Sequence, residues 1–286
     1  MPSIKSLYKF LSSKYQNLFL EYQVNPKPNY GHSLPAHSSL LDIISKNDAN
    51  YAQFIEDILQ HKSVFESIQL LKNETNENLP AWNNEYLPGL DIMALYAMIR
   101  KFQPTKYIEV GSGNSTKVAR KAITDGNLKT QITSIDPYPR ANIDHLADVV
   151  IREPFENLKD LSIITESLGE NDILFIDNSH RVFPNSDGMK FFMEILPKLK
   201  KGVIVQIHDI YLPYDYPQFM CDRFYNEQYL LAAFVMANPN KYECIFPNYY
   251  VSEQANLAQK LAPIWQHETL SQVEKHGGSF WLKIKE

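Results

Sequence analysis

The apolar positions of the chain change their spacing near residue 80. Before it, apolar residues recur at helical spacing over 4–18 and 40–72, which predicts a helical N-terminal extension over residues 1–80. After it, continuous apolar runs alternate with helically spaced segments. The predicted strands are 106–110, 131–136, 148–153, 172–177, 202–210, 241–246 and 279–284, and the predicted helices are 89–102, 115–124, 185–199 and 226–237.

The alternation of strands and helices indicates the fold class. Five β/α units in succession favour an α/β domain over residues 81–286, with a largely parallel sheet and helices on both faces. The run 172–177 is apolar between two aspartates, as expected for a strand buried on both faces. Residues 25–38 contain three prolines and a glycine, which predicts a loop within the N-terminal extension.

A glycine loop follows the first predicted strand. Residues 106–116, KYIEVGSGNST, read as a strand, a turn with Gly111 and Gly113, and the start of a helix. The glycines permit a tight turn and a close backbone approach, and the helix start presents free N–H groups. In open α/β sheets, ligands bind at this end of the strands. The loop is therefore a candidate nucleotide site.

Three neighbouring residues favour a methyl donor over a dinucleotide. Thr116 stands where a dinucleotide loop has its third glycine. Glu109 would repel a pyrophosphate, whereas it suits the cationic amino group of the methionine part of S-adenosylmethionine. Asp136, at the end of the second strand, is placed to accept both ribose hydroxyls. The alternative for Asp136-Pro137 is a simple turn at the strand end.

With these residues in place, the region 81–286 resembles the class I S-adenosylmethionine-dependent methyltransferases. The resemblance implies a Rossmann-like seven-stranded sheet that includes an antiparallel strand near the chain end, with S-adenosylmethionine as cofactor. The stretch WNNEY, 82–86, is a candidate to close over that cofactor. The residues that the resemblance assigns to cofactor binding, with two serines of the same loop, are Glu109, Gly111, Ser112, Gly113, Ser115 and Asp136.

Two neighbouring predicted strands are followed by aspartate and histidine residues, which can bind metals or transfer protons. Asp177 and His180 follow the fourth strand, and His208-Asp209 follow the fifth. We expect Asp177, His208 and Asp209 to hold a divalent metal such as Mg²⁺, which would lower the pKa of an acceptor hydroxyl. His180 is then the catalytic base, with Asp177 beside it. The alternatives are a helix-capping aspartate and an exposed loop histidine.

The pattern D-x-x-H followed by a pair of metal ligands resembles the metal-dependent sugar O-methyltransferases of natural-product pathways. Those enzymes usually have two acids where this chain has His208-Asp209. The resemblance implies a hydroxyl of a sugar or glycosylated small metabolite as acceptor. The loop after the fifth strand would contact it, or its tyrosines would simply pack on the sheet. The candidate contacts are Tyr211, Asp215, Tyr216, Arg223 and Glu227.

Composition and charge narrow the possible ligands and the cellular compartment of the protein. A net charge of −5 without a dense Lys/Arg run disfavours nucleic-acid binding. Cys221 and Cys244 are expected to be reduced thiols of a cytoplasmic protein. No signal peptide and no membrane span are predicted. We expect the first helix to pack on its own protein rather than on a membrane surface.

Other functions and roles stay open at this stage. The N-terminal helices would cover the acceptor site or form a homodimer interface. A NAD-dependent oxidoreductase and a non-catalytic binding protein that retains the fold are the alternatives to a methyltransferase.

Overall fold

Seven strands form one sheet in the computed structural model, which describes residues 4–139 and 141–286. The strands lie in the order β3-β2-β1-β4-β5-β7-β6. β7 pairs antiparallel with β5 and β6, and the other pairings are parallel. The predicted α/β sheet, including its antiparallel strand, is confirmed. The strands are β1 Lys106–Val110, β2 Gln131–Ile135, β3 Val149–Ile151, β4 Ile173–Ile176, β5 Ile204–Ile207, β6 Tyr242–Pro247 and β7 Phe280–Ile284.

Helices cover both faces of the sheet, and three of them, α5, α6 and α10, match predicted helices closely. The α-helices of the described residues are α1 Ile4–Leu11, α2 Ser38–Ile44, α3 Asp48–Leu59, α4 Lys62–Ser67, α5 Gly89–Phe102, α6 Asn114–Asp125, α7 Ser162–Thr165, α8 Asp187–Lys190, α9 Gln218–Cys221, α10 Glu227–Ala237, α11 Asn248–Glu253, α12 Ala255–Ala258 and α13 Ala262–Trp265.

The prediction of one α-helix over 185–199 was wrong in its detail. α8 continues as a π-helical turn over Phe191–Ile195 and a 3-10 turn over Leu196–Lys198. Pro197 lies in the last turn and cannot donate a backbone hydrogen bond, so the α pattern does not continue through it. The three short helices between β6 and β7 were not predicted.

The N-terminal helices α2, α3 and α4 belong to the core of the sheet domain. α3 buries four side chains, and one of them, Phe54, makes an edge contact with Phe246 of β6 at 4.7 Å between ring centroids. A backbone bridge joins Leu70 to Trp82 across the predicted boundary at residue 80. Packing is therefore continuous across that boundary.

The expectation that the first helix packs on its own protein was wrong. On α1, Leu7, Tyr8 and Phe10 are more than half exposed, and Leu11 is 72% exposed. Helical spacing of apolar residues predicted a helix over 4–18, whereas α1 ends at Leu11, and the spacing said nothing about its partner. The homodimer interface stays a prediction. Of the described helices, none combines the length and apolar character needed to cross a membrane.

The carboxyl ends of β1, β4 and β5 meet at one edge of the sheet. β4 and β5 are in register from Ile173↔Ile204 to Ile176↔Ile207. The next residues, Asp177 and His208, are therefore neighbours. The chain turns outward in opposite directions from β1 and β4, which makes this edge the switch point where open α/β sheets bind ligands.

Candidate active site

Two adjoining cavities open at the edge of the sheet where the carboxyl ends of β1, β4 and β5 meet. The smaller one, of about 280 Å³, is lined by the glycine loop after β1 and by residues 84–87. The larger one, of about 1070 Å³, is lined by the segments after β4 and β5. Glu85, Tyr86 and Asp177 line both cavities. A ligand in the smaller cavity would face a ligand in the larger one across these side chains.

Gly111 is required by the backbone, whereas Gly113 leaves space. Gly111 has a φ of 79°, and a Cβ there would lie 1.9 Å from the carbonyl oxygen of Asp177. No other residue fits. Gly113 has an extended φ of 173°, and a Cβ there would meet no atom within 4 Å. The first glycine therefore lets β1 and β4 close together, and the second keeps the smaller cavity open.

Glu109 lies beneath the glycine loop and does not line either cavity. Its carboxylate is fully buried and accepts hydrogen bonds from Thr116, from Ser115 at 3.1 Å and from Tyr107 at 3.2 Å. Burial raises the pKa of Glu109 to about 7, although these hydrogen bonds act to lower it. Glu109 thus holds the loop from below, and direct contact with a cofactor stays a prediction.

Asp136 supports the loop from the side. Its Oδ2 accepts a hydrogen bond from the Ser112 N–H at 2.9 Å, and its Oδ1 accepts one from the Tyr138 N–H at 2.8 Å. The Gly113 N–H donates to Thr116 Oγ1 at 3.1 Å. That N–H is therefore already engaged within the loop, unlike the open amides that a pyrophosphate needs. Ribose binding by Asp136 stays a prediction.

The stretch 82–86 lies over the glycine loop. Asn84 Oδ1 accepts a hydrogen bond from Asn114 Nδ2 at 3.1 Å and from the Leu87 N–H at 2.8 Å. Glu85 has a positive φ of 72°, which turns the chain along the cavity wall. This stretch closes one side of the smaller cavity.

His180 is held by a buried carboxylate. Its Nδ1 lies 2.8 Å from Glu227 Oε1, and when Glu227 is ionised Nδ1 carries the proton, because a carboxylate can only accept. Its Nε2 lies 3.4 Å from both Asp177 and Asp209. Burial lowers the pKa of His180, but Glu227, Asp209 and Asp177 outweigh it, so the pKa is raised. Tyr225 stacks on the ring at 4.7 Å between centroids.

His208 has a similar arrangement with Asp91. His208 Nε2 lies 3.2 Å from Asp91 Oδ2, and its Nδ1 lies within 3.6 Å of Asp177 and 3.5 Å of Asp209. Asp91 is fully buried in α5 and also accepts hydrogen bonds from the N–H groups of Gly278 and Ser279. Burial lowers the pKa of His208, but Asp209 and Asp177 raise it well above its ordinary value.

Two of these residues have left-handed backbone. His180 has a φ of 61° and Asp209 a φ of 54°. Such conformations are unfavourable for residues other than glycine and are concentrated at functional sites. The backbone turns at both strand ends therefore aim the imidazole and the carboxylate at each other.

Solved structures similar to this chain include methyltransferases. MycE methyltransferase from the mycinamycin biosynthetic pathway, in complex with Mg, SAH and mycinamycin VI, is 13% identical with a TM-score of 0.38. The match covers 66% of this chain and 47% of MycE, so it spans about half of that protein. The SAH-bound Podospora anserina methyltransferase PaMTH1 is 14% identical with a TM-score of 0.43, over 90% of this chain and 100% of PaMTH1.

The plantazolicin methyltransferase BpumL in complex with SAH is 11% identical with a TM-score of 0.40, over 86% of this chain and 99% of BpumL. A search of proteins with curated functions gave no match. A family model described as "Methyltransferase domain" matches residues 108–210. This range runs from β1 past the end of β5 and includes the glycine loop, Asp136 and the residues after β4. Over this range the chain is similar to a methyltransferase domain.

The fold brings the predicted metal ligands together, but not as a finished metal site. In the part of the chain that the structure describes, no group of three or more His, Cys, Asp or Glu side chains could hold a metal ion. The donor chemistry fits a divalent cation, because Asp177 and Asp209 supply oxygens and His208 supplies a nitrogen. Asp91 behind His208 is the type of partner that orients a metal-ligating imidazole.

Four of the five predicted acceptor contacts separate into two pairs. Tyr211 and Arg223 line the larger cavity. Asp215 is buried, and its Oδ2 accepts hydrogen bonds from the N–H groups of Asn29 at 2.6 Å and Tyr30 at 3.2 Å. Tyr216 is fully buried, and its hydroxyl accepts a hydrogen bond from the Gln228 N–H. Asp215 and Tyr216 thus hold the loop in place rather than line the cavity.

Some residues of the site were missed by sequence reasoning. Asp91 was hidden in an apolar helix, and the one available signal was an acid in the first turn of that helix. Glu227 was assigned to the acceptor and instead holds His180. Arg181 and Tyr225, which line the larger cavity, were not singled out.

Proposed function

We propose that this methyltransferase domain transfers a methyl group from S-adenosylmethionine to a hydroxyl oxygen of a sugar or glycosylated small metabolite. The observation that carries the proposal is the placement of His180. Its Nδ1 is held by the buried Glu227, and its Nε2 faces the larger cavity beside Asp177, which also lines the smaller one.

Different residues of the site have different roles in the methyl transfer. S-adenosylmethionine, when bound, supplies an electrophilic methyl carbon and a thioether leaving group. The glycine loop and residues 84–87 position the donor, and the walls of the larger cavity position the acceptor hydroxyl. His180 takes the hydroxyl proton at Nε2 as the oxygen bonds to the methyl carbon. Glu227 then stabilises the resulting imidazolium.

A divalent cation is the second part of the proposal. Asp177, His208 and Asp209 would hold Mg²⁺ or Mn²⁺, with Asp91 fixing the orientation of the imidazole. When bound, the cation would lower the pKa of the acceptor hydroxyl and help to orient it. The donor types support this part, and the ion pairs of these side chains with each other would have to open to admit the cation.

The character of the larger cavity supports a saccharide. Its volume of about 1070 Å³ is at the upper end of the range for small-molecule sites, which leaves room for a glycosylated metabolite. Tyrosine rings and polar groups line it together, as suits a ligand with apolar ring faces and many hydroxyls. The tyrosines concerned are Tyr86, Tyr211, Tyr225 and Tyr249.

The proposal is tested in two steps. Calorimetric titration with S-adenosylhomocysteine measures cofactor binding, and transfer from methyl-labelled S-adenosylmethionine is then followed over a panel of sugars, glycosides and nucleotide sugars. We expect label on oxygen in at least one product, and loss of activity with EDTA that Mg²⁺ or Mn²⁺ restores. A product labelled on nitrogen or carbon would reject hydroxyl transfer. Activity that EDTA leaves unchanged would reject the cation alone.

A further inference from the structure

Two arginines stand together on one wall of the larger cavity. The Cζ atom of Arg181 lies 4.9 Å from the ring centroid of Tyr225, and that of Arg223 lies 4.6 Å from the same centroid. Tyr225 in turn stacks on His180. Both positive charges thus contact the ring that stacks on the proposed base.

The two guanidinium groups differ in what they contact. Arg181 donates from Nε to the Arg223 carbonyl at 3.0 Å and from Nη1 to the Ser179 carbonyl at 2.8 Å. It therefore joins the segment after β4 to the turn after α9. The guanidinium of Arg223 makes no hydrogen bond and no ion pair among the residues of 4–139 and 141–286. Its donors are held at the cavity wall by Tyr225 but are not used by the protein.

The two arginines form no ion pair with the described residues. In the part of the chain that the structure describes, neither arginine has a carboxylate within ion-pair distance, although five acids also line the cavity: Glu85, Asp177, Asp209, Glu253 and Glu274. Two like charges repel, and a cation–π contact returns only about 0.5–2 kcal/mol. An anionic ligand would relieve the repulsion, and the planar fork of arginine matches phosphate and carboxylate oxygens.

The geometry points to an acceptor that carries an anionic group, a phosphate or a carboxylate, bound by Arg223 and Arg181. Binding at this wall places a hydroxyl of the same molecule beside His180, which stacks on the tyrosine between them. That the bound anion is also the methyl acceptor rests on the proposed function, whereas anion binding at this wall does not.

The experiment measures binding without turnover. The protein loaded with S-adenosylhomocysteine is titrated calorimetrically with glucose, glucose 6-phosphate, glucuronate and inorganic phosphate. We expect at least one of the anions to bind tenfold or more tightly than glucose, since a hydrogen bond to a charged group contributes about 1.5–3 kcal/mol. The two anionic sugars distinguish a phosphate-bearing from a carboxylate-bearing acceptor.

Variants connect the binding to the arginines. Arg223→Gln should weaken anion binding about tenfold or more, and Arg223→Lys, which keeps the charge but not the fork, should weaken it less. The control is the double variant Lys198→Gln with Lys201→Gln, which removes more positive charge than Arg223→Gln does. Both lysines are exposed and lie before β5, at the opposite edge of the sheet. It should bind like the wild type.

Unchanged affinity for S-adenosylhomocysteine shows that each variant is folded and separates this inference from the proposed function. Equal binding of glucose and the anions, or unchanged anion binding in Arg223→Gln, would overturn the inference.

Discussion

Glu227 lies directly behind His180, with its Oε1 2.8 Å from the imidazole Nδ1 and its side chain fully buried. This contact fixes which nitrogen of the ring faces the cavity. It also places a negative charge where an imidazolium would form during proton transfer. Glu227 is therefore a positioning residue for the proposed base.

Removal of the proposed base should reduce turnover strongly. We expect His180→Ala to lower kcat by roughly 10²–10⁴-fold, the usual contribution of a general base. Initial rates with the identified acceptor measure this. His145→Ala, at an exposed histidine away from both cavities, is the control. Near-normal turnover of His180→Ala would exclude its role as base.

Replacement of the residue behind the base should act on kcat rather than on binding. In Glu227→Gln the amide can donate to Nδ1 and so favour the wrong tautomer, and we expect kcat to fall by about 10²-fold or more. The KM of the acceptor and the affinity for S-adenosylhomocysteine should change little. Glu227→Asp should restore part of the loss, and Glu166→Gln, at an exposed site, is the matched control. A change confined to KM would contradict the positioning role.

The two glycines of the cofactor loop should respond differently to the same change. Gly111→Ala forces a Cβ against the Asp177 carbonyl at a positive φ, and we expect it to lower the free energy of unfolding by about 2 kcal/mol or more. Gly113→Ala should leave stability nearly unchanged and weaken S-adenosylhomocysteine binding, because its Cβ enters the smaller cavity. Urea unfolding and calorimetry measure the two effects. Equal stability losses would contradict the assignment.

The pKa of Glu109 predicts a pH-dependent stability of the protein without cofactor. Burial raises this pKa from 4.5 to about 7, and Tyr107 is the other titratable group in contact with it. Between these values the folded state keeps a proton that the unfolded chain releases. The stabilisation is therefore complete below pH 4.5 and is lost as the pH rises through 7.

The variant Glu109→Gln has no titrating carboxyl group at this position, so it is the reference for the pH dependence of the wild type. As the pH rises from 5 to 8, the wild type should lose up to about 3 kcal/mol of unfolding free energy relative to the variant. Urea unfolding at a series of pH values measures the difference. A difference that stays constant with pH would show that Glu109 does not titrate in this way.

The N-terminal residues should divide into a dispensable part and a part that supports the acceptor cavity. Deletion of residues 1–24 should change the unfolding free energy by less than about 0.5 kcal/mol, because the large apolar side chains described in 7–24 are exposed. Asp215→Ala leaves two backbone N–H groups of the 29–30 segment unpaired and should cost about 1–3 kcal/mol.

His32, two residues after that segment, lines the larger cavity, so Asp215→Ala should also raise the KM of the acceptor while S-adenosylhomocysteine affinity is kept. Urea unfolding and initial rates measure both effects. Weaker cofactor binding in this variant would contradict the separation of the two cavities.

Local patterns predicted the scaffold of the site. β1 matches its predicted range at both ends, and β4 and β5 lie within theirs. Asp177, His180, His208 and Asp209 were placed at the carboxyl ends of adjacent strands, and the structure brings them together. Strand ends are predictable because an apolar run ends where polar residues begin.

The partners of the two histidines could not be predicted in the same way. Asp91 is 117 positions from His208, and Glu227 is 47 positions from His180. No local spacing relates these pairs, and in the sequence each acid looks like an ordinary first-turn residue of a helix. They meet only because helices α5 and α10 pack near the ends of β4 and β5.

The sequence by itself determined the order of the seven strands along the chain, the helices α5, α6 and α10, the glycine that the loop requires and the residue types at the edge of the sheet, because each depends on a few neighbouring positions. The tertiary structure decided what Glu109 and Asp136 contact, which carboxylate holds each imidazole, and that Arg181 and Arg223 share one tyrosine. These depend on burial and on contacts between distant segments, and only the packed chain sets both.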